Sequence, residues 1–159
     1  MWAPGAGGTR LGTWRRCSTG SGAVLAVVDA GPLYAAADRS DADHERSLAV
    51  LERLELRLVI PALVVAEATY FVGSRLGASA EAAFLTGVGE LDVEAPAADD
   101  WSRIAELVEQ YADFPLGGTD ASIVALAERL DASVLITLDR RHFGAVRPRH
   151  REAFELLPD

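Results

Sequence analysis

Four carboxylates stand apart from the other acids of this chain, because their surroundings give no ordinary reason for them. Asp29 ends an apolar run that begins at Val24, and Glu67 lies inside the apolar stretch 62–72. Asp120 opens a predicted helix directly after Gly117-Gly118-Thr119, and Asp139 follows Val134-Leu-Ile-Thr-Leu138. Most of the 24 acidic residues fall instead on charged helix faces, where water satisfies them. A helix N-terminus favours the charge of Asp120. Glu67, about two turns into an otherwise apolar helix, would be costly to bury alone. One divalent cation would compensate all four acids. Mg²⁺ and Mn²⁺ take hard oxygen ligands, a few carboxylates with the remaining positions left to water and substrate phosphate. Such a centre can activate a water for in-line attack on a phosphodiester and stabilise charge on the leaving oxygen. Other chemistries lack their parts. His44, His142 and His150 show no zinc-ligand spacing. No nucleophile elbow is present, and Gly117-Gly118 is not a dinucleotide fingerprint.

The elements that must position these acids alternate. Val24–Asp29 suits a fully buried strand, followed by a short helix over 31–37 and a loop over 38–42. The segment 43–56 carries Leu48, Leu51 and Leu54 at helical spacing. Residues 58–60 form a second strand closed by Pro61, which also suits a helix start. Helices are predicted over 62–76, stopping at Gly77, and over 79–88, with a brief strand at 91–93. The segment 99–111 places Ile104, Leu107, Val108 and Tyr111 on one helical face, with Trp101 and Tyr111 expected in the core. Thr119 is placed to cap a helix over 120–130, and strands follow at 133–137 and 154–157. Strands separated by helices imply crossover connections. The expected fold is α/β, a three-layer α/β/α domain over 24–159 with a central, mostly parallel sheet. In such sheets ligands bind beyond the carboxyl ends of the strands, where Asp29 and Asp139 fall.

Composition narrows the classes further. Cys17 is the only cysteine, so no internal disulfide forms. No apolar run approaches the roughly 20 residues of a membrane helix, and a soluble, cytoplasmic protein is expected. Residues 1–22 are rich in Gly, Ser and Thr, carry Arg10, Arg15 and Arg16, and lack the apolar core of a secretory signal. They read as a flexible tail, or as an over-extended start. The formal net charge of −9 opposes non-specific binding of polyanions. All 15 basic residues are arginine. The absence of lysine removes a phosphoacceptor receiver domain and a haloacid-dehalogenase-like phosphatase, both of which rely on one. The second also wants an aspartate two residues after its nucleophile, where Asp29 is followed by Ala30 and Gly31.

Four segments carry a resemblance: Val27-Val-Asp29-Ala-Gly-Pro-Leu-Tyr-Ala35, Pro61-Ala-Leu-Val-Val-Ala-Glu67, Pro115-Leu-Gly-Gly-Thr-Asp120-Ala-Ser-Ile-Val-Ala125 and Leu135-Ile-Thr137-Leu-Asp139-Arg-Arg-His-Phe143. Together they resemble the PIN-domain family, and more closely the VapC toxins of VapBC toxin–antitoxin pairs, over about residues 24–157. The resemblance implies an endoribonuclease that cuts single strands with Mg²⁺ or Mn²⁺ held by Asp29, Glu67, Asp120 and Asp139. Thr137 matches a hydroxyl position beside the last acid, suited to orienting a ligand or water. A homodimer inhibited by a small VapB-type antitoxin is implied as well. The tail before residue 24 departs from the family's usual start. A PIN fold kept as a binding module with little turnover is the remaining alternative.

Net acidity sits badly with an RNA substrate. The run Arg140–Arg151 holds Arg140, Arg141, Arg147, Arg149 and Arg151 and begins beside Asp139. Arg140 and Arg141 are the expected contacts to substrate phosphates.

Overall fold

Strands without polar side chains on either face belong in the middle of a sheet covered on both sides, and Val24–Val28 (β1) takes that place. The computed structural model describes residues 22–114 and 116–159. The expected tail lies, but for Gly22, outside the described residues. After β1 come α1 (Ala30–Ala37), α2 (His44–Leu51), β2 (Leu56–Pro61), α3 (Ala62–Leu76), α4 (Ala78–Val88), β3 (Asp92–Glu94), α5 (Ala98–Gln110), α6 (Gly118–Arg129), β4 (Val134–Ile136), α7 (Arg140–Ala145) and β5 (Glu155–Leu157). The five strands run in the order β3-β2-β1-β4-β5, and every pairing is parallel. The expected mostly parallel sheet is thus wholly parallel, and helices complete the three α/β/α layers.

The strand order reverses between β1 and β4, which lie side by side with Val28 opposite Ile136. Chain connections leave in opposite directions from such a switch point, so a crevice opens between them. The core beneath it is aliphatic, with Val27, Val28, Ile60, Ile123, Leu135 and Ile136 fully buried.

Three elements differ from the sequence reading. The helix expected over 43–56 ends at Leu51, and Leu56 instead starts β2 opposite Val24. Helical spacing alone had joined Leu54 to that face, yet Leu54 is 84% exposed, because the chain has already left the helix to enter the sheet. The helix expected from Asp120 starts earlier, at Gly118, with Gly117 rather than Thr119 as its cap. The Gly117 carbonyl accepts from Ala121 N–H at 2.9 Å, so Thr119 is already in the first turn. The third is α7, six residues with Phe143 alone buried, too short to show a period. Trp101, expected in the core, is 53% exposed, since α5 turns Asp100, Ile104 and Leu107 inward instead. Tyr111 does pack against the core.

Candidate active site

The four acids arrive from four different places in the chain and line one pocket with Ala30, Gly31, Tyr34, Phe71, Arg75 and His142. Asp29 follows β1 and caps α1, its Oδ1 accepting from Ala30 N–H at 2.6 Å. The Asp29 N–H donates to the carbonyl of Ile136 at 2.9 Å, which ties the end of β1 to the end of β4. Glu67 comes from α3, after β2. Asp120 lies in the first turn of α6, and Asp139 caps α7 after β4, accepting from His142 N–H at 2.9 Å.

Thr137 links two of them. Buried at 1% exposure, it donates its hydroxyl hydrogen to Asp29 Oδ2 at 2.7 Å and accepts from Asp139 N–H at 2.9 Å. Its own N–H is spent on the carbonyl of Leu157 at 2.8 Å. The hydroxyl therefore has one orientation open to it, and the Asp29 carboxylate is fixed by two donors.

The electrostatics are those of negative charges short of partners. Burial pushes the Asp29 carboxyl up to about 6, against the Thr137 and Ala30 hydrogen bonds that lower it, while Asp120 and Glu67 add to the rise. Burial also raises Asp120, helped by the charges of Glu67 and Asp139. Asp139 goes the other way. Burial alone would raise it, but the N–H and ring of His142 and the N–H of Arg141 outweigh that and hold it low. The His142 ring nitrogen Nδ1 lies 2.5 Å from Asp139 Oδ2, and the ring is packed on Phe114 at 4.8 Å between centroids.

The donor set is oxygen-only apart from His142, which suits a hard cation. Among the described residues no three His, Cys, Asp or Glu side chains come close enough together to hold a metal ion between them. The acids instead face a shared open space. Side chains so placed would reach an ion through the waters it retains, as Mg²⁺ allows, and such an ion would offset the mutual repulsion of the acids.

The arginine run divides. Arg140 donates to the carbonyls of Leu156 and Pro158 at 3.2 and 2.7 Å, and Arg141 lies over the Phe114 ring at 5.7 Å. Arg149 pairs with Glu106 and Arg151 with Asp131. Asp131 precedes β4, so this second group sits toward the opposite end of the parallel sheet from the acids. Neither Arg140 nor Arg141 is among the residues that line the pocket. Two residues that do, Arg75 and His142, were missed from sequence. For Arg75 the signal was present: residues 67, 71 and 75 recur every fourth position and so share a helix face. His142 depended on α7, which no pattern announced.

The chain matches the family model of the PIN domain over residues 26–147. It is 34% identical over 134 residues to Ribonuclease VapC26 of Mycobacterium tuberculosis, an alignment covering 83% of this chain and 99% of that protein. Its fold is similar to the sarcin–ricin-loop-cleaving toxin VapC20 of Mycobacterium tuberculosis, with a TM-score of 0.65 at 18% identity, covering 69% of this chain and 86% of the other. It is similar also to VapBC2 from Rickettsia felis, solved with a DNA fragment of its promoter, with a TM-score of 0.65 at 16% identity, covering 85% and 100%.

Proposed function

The chain belongs to the PIN-domain family, and from that footing we propose that it is the endoribonuclease toxin of a toxin–antitoxin pair. It hydrolyses RNA phosphodiester bonds with a Mg²⁺ or Mn²⁺ held by Asp29, Glu67, Asp120 and Asp139. The single observation that carries this reading is the convergence of those acids, from four separate elements, on one pocket at the switch point of the sheet. The ribonuclease named among the relatives supports the reaction class, and the VapBC likeness supports a VapB-type antitoxin as partner. We add a homodimer acting in the cytoplasm as the rest of this reading; among the described residues no helix is long and apolar enough to cross a membrane.

When bound, the ion supplies an activated water and offsets charge on the leaving oxygen. The chain's own residues do the holding. Thr137 fixes the rotamer of Asp29, so one carboxylate oxygen presents a constant direction to the pocket. His142 holds Asp139 ionised through its N–H and ring. The start of α6 adds the partial positive charge of its N-terminus beside Asp120.

Cleavage of labelled total RNA by the purified chain with Mg²⁺, Mn²⁺ or EDTA, beside Asp29→Asn, tests the proposal. Discrete fragments that vanish with EDTA and fall at least about a hundredfold in the variant are expected, as for loss of a principal transition-state contact. Equal cutting by wild type and variant would mean a contaminating nuclease and would remove the proposal.

A further inference from the structure

Arg75 has no part in the carboxylate set, yet it lines the same pocket. It stands two turns after Glu67 on α3, with Phe71 between them on the same face. Its guanidinium carbon lies 4.9 Å from the centre of the Phe71 ring and 5.1 Å from that of Tyr34. The platform is itself held. The two rings meet edge to face at 6.4 Å, and the Tyr34 hydroxyl donates to Asp38 Oδ2 at 2.9 Å. A guanidinium laid over aromatic faces keeps its N–H edges pointing outward in the plane, in the fork that matches phosphate oxygens.

Of the arginines beside Asp139, Arg140 is bound to two backbone carbonyls and Arg141 stands over Phe114, and neither lines the pocket. Elsewhere Arg103, Arg129, Arg149 and Arg151 are ion-paired. Arg75 forms no ion pair among the described residues; its polar neighbour is the Tyr34 hydroxyl. In a chain with a net charge of −9, a strand of RNA approaching four carboxylates meets this guanidinium at the rim of the pocket.

We propose that Arg75 binds a backbone phosphate of the RNA next to the one being cut, with Phe71 and Tyr34 as the residues that position it. This rests on the nuclease reading above. Arg75 also lies in the last turn of α3, where a cation suits the helix dipole, so the test must move something that a purely structural role would not.

The measurement is binding of a fluorescent, random-sequence single-stranded RNA across a salt series, with Ca²⁺ in place of the catalytic ion, alongside steady-state cleavage in Mg²⁺. Arg75→Ala should bind about tenfold more weakly, and its log K against log salt should be shallower by about 0.7, one phosphate contact on a single strand. KM should rise about tenfold while kcat changes by less than about threefold, the mark of a contact equal in ground and transition states. Arg75→Lys should recover the salt slope but only part of the affinity, because the planar fork is lost. Arg75→Gln serves in the same role if the alanine variant fails to fold, with melting temperature as the control. Variants matching wild type in affinity, salt slope and KM would overturn the assignment and leave the nuclease standing. A wild-type chain that neither bound nor cut RNA would overturn both.

Discussion

Asp29 concentrates the chemistry of the site in one side chain. Two hydrogen bonds favour its ionised form, yet burial prevails and its carboxyl stands at about 6 instead of 3.8. A carboxyl raised in this way takes up a proton on folding between those two values. Its contribution is therefore most favourable at low pH and is lost as pH rises toward about 6, by at most about 3 kcal/mol for a shift of this size. Above that range the metal-free protein carries the full cost of the buried charge. In EDTA, the stability of wild type relative to Asp29→Asn should fall by about 2 kcal/mol between pH 4 and pH 7. Urea unfolding at several pH values reads this directly, and curves that stay parallel would refute it. Asn keeps the volume but can satisfy only one of the two donors from Ala30 and Thr137, so its absolute stability is not the readout; the pH slope is.

At the scale of elements, the joint between α3 and α4 matters most, because α3 carries Glu67, Phe71 and Arg75 together. Gly77 closes α3 and opens α4 as a single residue, at φ 87° and ψ 170°. That backbone region is open in practice to glycine alone. A Cβ at Gly77 would meet nothing within 4 Å, so the cost of Gly77→Ala is conformational rather than steric. The variant should lose about 1–3 kcal/mol, a melting temperature lower by several degrees. Thermal melting by circular dichroism checks it, and an unchanged midpoint would show that the joint relaxes freely. Gly73 differs: its added methyl would meet the Glu81 carboxylate at 2.5 Å, the mobile end of a side chain on α4.

For the whole molecule, the site is a concentration of like charge in an already acidic protein. Four carboxylates share a pocket whose lining contains one arginine, Arg75, and self-repulsion of this kind destabilises the compact state. A ligand that binds only the folded chain stabilises it by mass action, about 2.7 kcal/mol at a hundred times its Kd. Mn²⁺ or Mg²⁺ should therefore raise the melting temperature of wild type by several degrees, EDTA should reverse this, and Asp29→Asn should respond much less. Differential scanning fluorimetry is sufficient, and equal shifts in wild type and variant would place the ion elsewhere.

The sequence by itself determined much of this protein. Apolar runs ending in Asp29 and Asp139 mark buried parallel strands and set two acids at their carboxyl ends. Pro61 and Gly77 bracket α3 to the residue, because each restricts the backbone locally. Glu67 was legible as an anomaly, a charge on an apolar helix. What tertiary structure alone decided depends on contacts between distant segments. Leu56 belongs to β2 because Val24 pairs with it, not because of its own spacing from Leu51. Trp101 faces outward because α5 turns its Ile104 and Leu107 row inward. Thr137 acts as a clamp because β1 and β4, more than a hundred residues apart in the chain, end side by side. The arginine run beside Asp139 looked like one basic patch, but the chain carries its later members along the sheet to Glu106 and Asp131. The cation that does line the pocket comes instead from α3. Local periodicity specifies which face a residue takes; only the packed sheet specifies which faces meet.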